Sequence, residues 1–277
     1  MKNFEATADE LKKAYADILT WWSTEAFNKS TNQYYGFIDH FGKKDANAPL
    51  GIIMYSRILW SFSAASIFSK NADYLNVAKQ TKAFLENHFY DKSNGGYFWE
   101  ISAQRQALIT KKQTYAQAFV LYGLCEYYAV SKDEKALTDA LELFDLMEIH
   151  SLDKEFGGYF EAYTQEWTQL DDVRLSPVDQ NNPKSMNTNL HVLEAYTRLL
   201  SITGNEKVKT ALTNLAEVFY KYIIDKDGHL QLFFDKNWNS QVREHSYGHD
   251  IETSWLLWDA IETIGNESMK ANINRSF

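Results

Sequence analysis

The feature that most restricts this chain is a repeat. Three loops join glycine to aromatic residues: Tyr35-Gly36-Phe37-Ile38-Asp39, Gly95-Gly96-Tyr97-Phe98-Trp99-Glu100 and Gly157-Gly158-Tyr159-Phe160-Glu161. Asp227-Gly228-His229-Leu230 reads as a degenerate fourth. The first three recur at about 60 residues, the length of two helices with their connections. Between the loops apolar residues step at helical spacing, as in Leu11, Tyr15, Ile18 and Trp22, or Ile251, Trp255 and Trp258. One helical hairpin cannot bury its own apolar face, so repeated hairpins must stack on each other. The spacing predicts about eight helices, near residues 5–27, 50–70, 72–90, 113–130, 133–149, 186–203, 205–224 and 249–264.

The fold class this implies is all-α, an α/α toroid whose inner helices line a cavity and whose short β-hairpins share one rim. Eight helices make about four hairpins, whereas a closed toroid of the common kind needs about six. Residues 1–277 are therefore read as a single incomplete toroid domain. No Pro-, Gly- or Ser-rich linker divides it, and the polar stretch from Asn266 to Phe277 is too short for a further hairpin.

Composition excludes several classes. A net charge of −9 with no Lys/Arg run longer than a pair argues against nucleic acid. The start lacks the apolar core of a signal peptide, and the most apolar stretch, Ala116 to Val130, is too short to span a bilayer. A single Cys125 fits a reducing compartment. A soluble cytoplasmic protein, without membrane or nucleic-acid partners, is the expectation. Aromatic residues reach 15% of the chain, and such rings serve a core or a sugar cleft equally well.

Three constellations carry possible chemistry. Asn187, His191 and Glu194 stand at i, i+4 and i+7 on one helical face, a polar stripe fit for a lumen or for a hydrogen-bonded core histidine. Ser246-Tyr247-Gly248-His249-Asp250-Ile251-Glu252 opens the last helix, where the macrodipole favours a neutral imidazole while Asp250 and Glu252 oppose it. Arg57 lies among apolar helix residues and needs a partner, a ligand or a path to the surface; Tyr115 is the candidate partner. Two His-x-x-Glu pairs raise a metal site, but helical metal bundles use the reverse order and further carboxylates, so no metal is expected. His40, His88, His150, His229 and His245 fall in helix ends or loops and are expected to be solvated.

In order along the chain, Arg57-Ile-Leu-Trp-Ser-Phe-Ser, Gly95-Gly-Tyr-Phe-Trp, Lys112-Gln-Thr-Tyr-Ala-Gln-Ala-Phe119, Asn187-Thr-Asn-Leu-His-Val-Leu-Glu-Ala-Tyr196 and Tyr247-Gly-His-Asp-Ile-Glu252 resemble the N-acylglucosamine 2-epimerase and cellobiose 2-epimerase family. The Gly-His-Asp-Ile-Glu form looks like the cellobiose branch. The resemblance implies an (α/α)6 barrel and inversion of carbon 2 in the reducing-end glucose of a disaccharide substrate, without cofactor. By the same resemblance His249 is a general acid/base, His191 and Arg57 assist ring opening or hold the enediolate oxygens, and Tyr115 and Asn187 fix the sugar. Glu252 would orient His249 or bind a hydroxyl. One departure is Asn189, where the family carries histidine. Another is that the family's third histidine and several sugar-stacking tryptophans belong to a segment past Phe277. From this follow two expectations: little or no epimerase activity of residues 1–277 alone, and self-association through uncovered apolar faces.

Two rival classes stay open at this stage. An inverting glycoside hydrolase needs two carboxylates roughly 6.5–9.5 Å apart, for which Asp39 and Glu252 are the nominees. A non-catalytic sugar-binding remnant is the other.

Overall fold

The computed structural model describes residues 4–266 together with Met269 and Lys270, so most of the polar tail singled out above lies outside the described residues. Between Phe4 and Ile264 the described residues form eight α-helices, close to the eight expected. They are α1 (Phe4–Thr24), α2 (Ile52–Ser69), α3 (Ala72–Phe84), α4 (Thr114–Ser131), α5 (Glu134–His150), α6 (Met186–Thr203), α7 (Glu206–Val218) and α8 (Tyr247–Ile264). Helices α2, α4, α6 and α8 stack in that order as an inner layer. Helices α3, α5 and α7 lie outside, each packed on the inner helix before it. The described residues thus form an arc of four hairpins.

The inner helices are all 18 residues long, and each ends on the same signal. Lys70, Lys132, Gly204 and Gly265 follow them in the left-handed conformation. Asn71, Asp133 and Asn205 come next and cap the outer helices, each side chain accepting the N–H two residues on. A left-handed stop followed at once by an Asx cap reverses the chain in two residues. Each such cap contributes ~1 kcal/mol.

The opposite rim is built from small antiparallel ladders. The two residues before α2, α4 and α6 pair with a strand of the following repeat: Leu50 with Ile101, Lys112 with Tyr163, Lys184 with Phe234. Neighbouring hairpins are therefore stitched at a constant register. A second contact locks each loop to the fourth residue of the inner helix that follows it. Tyr34 N–H donates to Tyr55 Oη (3.1 Å), Tyr97 N–H to Gln117 Oε1 (2.9 Å), Tyr159 N–H to Asn189 Oδ1 (2.8 Å) and Leu230 N–H to Asp250 Oδ1 (3.0 Å). Gly96 and Gly158 precede two of these donors with φ near +70°, under the rings of Trp167 and Trp238. A Cβ at Gly158 would lie 2.3 Å from Trp238, so a side chain is excluded there.

Two buried ion pairs tie the same loops to the inner helices. Lys112 Nζ lies 2.9 Å from Asp91 and Lys184 Nζ 2.7 Å from Asp153, all four side chains nearly inaccessible. Burial pushes the Asp91 carboxyl up, but hydrogen bonds from Lys112, Asn94 and the Ser93 N–H outweigh it and hold the group below its usual range. At α6 a third device is added. Glu161, fully buried, accepts from Ser185 N–H (2.8 Å), Ser185 Oγ (2.9 Å) and Thr188 Oγ1 (2.6 Å), while Ser185 caps the helix. Burial outweighs these donors and pushes the Glu161 carboxyl up to about 7.

Helix α2, rather than the Ala116–Val130 stretch, is the helix apolar and long enough by composition to cross a membrane. Half of it is buried, and it packs between α3 and α4.

Removing one partner of a buried pair leaves the other charge without compensation, at a cost of ~3–5 kcal/mol. Lys184→Met should lower the urea midpoint by an equivalent amount, and Lys184→Met/Asp153→Leu should recover much of it. A single variant as stable as the parent would remove this pair from what holds α6. Glu161 gives a pH test. Its folded value lies above the ordinary 4.5, so the folded state binds the extra proton and stability is lost as pH rises from about 4.5 through about 7. Glu161→Gln should abolish that loss, on the order of 3 kcal/mol. Parallel stability–pH curves for the two proteins would contradict it.

Candidate functional site

Because the inner helices begin at equivalent points, equal positions along them stand side by side around the cavity. The second residues are Ile53, Tyr115, Asn187 and Gly248; the sixth are Arg57, Phe119, His191 and Glu252; the ninth are Trp60, Tyr122, Glu194 and Trp255. Steps of four and three keep all three levels on one helical face. Four of the six residues singled out from the sequence as site residues occupy the second and sixth levels with direct or through-space contact, and Asn187 stands one turn from His191.

Arg57 anchors the cluster. Its guanidinium lies 4.5 Å from the Phe119 ring centroid and donates through Nη2 to Tyr115 Oη at 3.1 Å. The His191 ring packs against that same Phe119 (centroids 4.5 Å apart) and meets Tyr115 edge-on at 5.0 Å. Arg57, itself exposed, therefore finds its partners on the neighbouring inner helix α4. The Tyr115 phenol is pushed above its usual value, chiefly by burial; Arg57 opposes this, and Glu252 and Glu194 add to it. Glu252 of α8 thus acts on the same hydroxyl as Arg57 of α2. Two buried polar atoms in the wall, Asn187 Oδ1 and Trp60 Nε1, have no hydrogen-bond partner among the described residues. An unmet buried group costs ~1–3 kcal/mol, which a ligand hydroxyl would relieve. Trp60 stacks on Tyr122 at 5.3 Å, giving the ninth level an aromatic surface.

His249 is the third residue of α8, half-buried and on the same helical face as buried Leu256. Its Nδ1 lies 2.7 Å from Ser246 Oγ. Ser246, rather than Glu252, therefore orients the ring. Asp250 turns away from His249 altogether. It accepts from Leu230 N–H and, 2.9 Å away, contacts His229 Nδ1, raising the His229 imidazole above its usual value through that hydrogen bond.

Three of the remaining histidines depart from the solvated state expected of them. His229 is held by Asp250, His150 stacks on Trp167 at 4.9 Å, and His88 packs on Phe84 at 4.6 Å. Burial lowers both His150 and His88. Asp39, nominated for a hydrolase pair, closes a rim turn by accepting from the N–H groups of Phe41 and Lys43. Nothing brings it to Glu252. Among the described residues no three His, Cys, Asp or Glu side chains converge as metal ligands. Phe119 was legible only as an apolar helix residue; its role as the wall shared by Arg57 and His191 follows from its equivalence to them at the sixth level.

Comparison with known proteins adds identity to this geometry. The family model described as N-acylglucosamine 2-epimerase (GlcNAc 2-epimerase) matches residues 34–274. A cellobiose 2-epimerase of Bacteroides fragilis is 40% identical over 263 residues, covering 95% of this chain and 67% of that protein. A cellobiose 2-epimerase of Dictyoglomus turgidum is 35% identical, covering 91% of this chain and 64% of that protein. The solved cellobiose 2-epimerase of Bacillus thermoamylovorans superimposes with a TM-score of 0.90 at 33% identity, over 98% of this chain and 72% of that one. Such structures are (α/α)6 toroids, and the arc of four hairpins follows their course. The chain spans about two thirds of the length of the curated relatives it matches.

Proposed function

The chain belongs to the N-acylglucosamine 2-epimerase family, and from that membership we propose that it acts in inverting carbon 2 of the reducing-end glucose of β-1,4-linked disaccharides. Cellobiose would give glucosyl-mannose, and lactose epilactose. The observation that carries this reading is the single cluster of Arg57, Tyr115 and His191 beside the unmet acceptor of Asn187.

The chemistry has three demands. The sugar ring must open to an aldehyde, the C2 proton must leave to give a cis-enediolate, and a proton must return to C2 on the opposite face. Opening needs a proton moved from the anomeric hydroxyl toward the ring oxygen, the role that the resemblance gives to His191. The enediolate gathers negative charge on O1 and O2. Arg57 supplies a fixed cation there, held in place by Phe119 and Tyr115, so little reorganisation accompanies charge development. His249, on α8, takes or returns the C2 proton on one face, with Ser246 holding the ring, and the transfer on the opposite face falls to the third histidine that the resemblance puts past Phe277. Asn187 and Glu252 fix hydroxyls. The printed names of the relatives support the substrate class.

Epimerisation by this route exchanges the C2 hydrogen with solvent. Product formed in D2O should carry deuterium at C2, and His249→Asn should lower turnover by ~10²–10⁴-fold, the usual worth of a general acid–base group. Protium retained at C2 would refute proton transfer. Release of free monosaccharide would indicate hydrolysis instead, and binding without turnover a sugar-binding remnant.

Self-association is part of the same reading. Tyr247, Ile251, Trp255 and Trp258 form a stripe along α8 and are 76%, 71%, 55% and 39% exposed. Apolar patches beyond a few hundred Å² seldom stay uncovered. Light scattering on residues 1–277 should show oligomers that Ile251→Lys/Trp255→Glu converts to monomer. A monomeric parent would remove the proposal.

A further inference from the structure

We propose that Glu194 is a positioning residue that holds His191 as its Nδ1–H tautomer and so leaves Nε2 as the proton-accepting atom of the cavity. His191 Nδ1 lies 2.9 Å from Glu194 Oε2, three residues along the same helix. A carboxylate can only accept, so the hydrogen of a neutral imidazole in this bond resides on Nδ1. Free imidazole side chains favour the other tautomer in water, so the contact reverses an intrinsic preference. Nε2 makes no hydrogen bond among the described residues, and the ring cannot turn freely because Phe119 and Tyr115 pack against it. Nε2 is thereby the one atom of His191 free to exchange a proton with a ligand. Partners that fix an imidazole's tautomer and ring orientation are a general device of working histidines.

The surroundings point the same way. Glu194 occupies the ninth level, directly beneath His191, and is itself largely buried, with 14% of its side chain exposed. It pushes up the neighbouring Tyr122 phenol, second only to burial, so this hydroxyl stays protonated beside the carboxylate. The groups around His191 are Tyr115 and Phe119 on α4 and Glu194 on α6, with Arg57 of α2 held against the same Phe119 and Tyr115. Arg57 is the only permanent cation among them, and it is engaged with Tyr115. Glu194 is the group in direct contact with the imidazole nitrogen. The pair that raised a metal site in the sequence is thus an acid–base couple, with the glutamate turned to the histidine rather than to the lumen.

The tautomer assignment stands on the geometry alone; its catalytic consequence rests on the proposed epimerisation. The experiment separates the two. Protein labelled with 15N-histidine is studied by long-range proton–nitrogen correlation at a pH where the imidazoles are neutral, with His191 assigned by its loss in His191→Asn. His191 should appear as Nδ1–H in the parent, remain so in Glu194→Gln, which keeps an acceptor, and change toward Nε2–H in Glu194→Leu. On cellobiose, kcat should fall ~10–100-fold in Glu194→Leu, the range met when the partner orienting a working imidazole is lost, with KM within about threefold. A parent His191 in the Nε2–H form overturns the assignment, and this holds even if the leucine variant does not fold. The expected tautomers with undiminished kcat in a folded Glu194→Leu overturn the role of His191 in turnover while the tautomer assignment survives.

Discussion

The cavity depends on one contact made four times, in which the fourth side chain of an inner helix receives the backbone N–H at the end of the loop before it. The contact fixes where each inner helix begins relative to its loop. Since every inner helix then has the same length and the same stop, its sixth residue arrives at the same height. Arg57, Phe119 and His191 meet for that reason, and Glu252 stands at the same level of α8. Four different side chains make the contact: a phenol, two carboxamides and a carboxylate. What they share is an acceptor at the right reach. Gln117 and Asn189 go further, returning a hydrogen bond from their amide nitrogens to the same loop carbonyls. Asn189, which departs from the family pattern, therefore serves the frame rather than the cavity.

The copies differ where the chemistry differs. In the middle two, a buried lysine–aspartate pair secures the loop. Such a pair gains little net stability but is intolerant of losing one member, which makes it a device for holding a geometry. At α8 the equivalent places are Asp225 and His245, and His245 is exposed, with its ring against His229. The loop feeding α8 is thus held by more solvated groups than those feeding α4 and α6. This is the helix that carries His249, the residue asked to move a proton.

Charge in the cavity is arranged in pairs across helices. Arg57 and Glu252 act on the Tyr115 hydroxyl from opposite sides of the arc, and Glu194 acts on both His191 and Tyr122. A cation braced against an aromatic ring, with a histidine on the same ring, is a preorganised site for oxygen atoms that gain negative charge. The aromatic residues that composition left divided between core and cleft serve both: Tyr55 and Phe62 are buried, while Trp60 and Tyr122 present a stacked surface at the ninth level.

The helices, their order and their common rim were legible in the residues alone, because helical spacing, Ser-Lys-Asn and Thr-Gly-Asn stops and Gly-Gly loops are local signals that act within a few residues. The sequence also placed Asn187, His191 and Glu194 on one face, since that follows from helical pitch, and its motifs carried the family. Which side chains meet was settled by the packing of the helices on one another. His-x-x-Glu spacing allows a metal, a sugar or an internal bond, and packing against Phe119 and Tyr115 selected the internal bond. Asp250 and Glu252, two residues apart, went to the rim and the cavity, because successive helical residues turn by about 100°. His249 found Ser246 rather than Glu252, although His191 bonds Glu194 across the same spacing, so spacing alone did not choose the partner. Contacts between helices depend on the height at which each begins, and that height is set by loop hydrogen bonds between residues far apart in the chain.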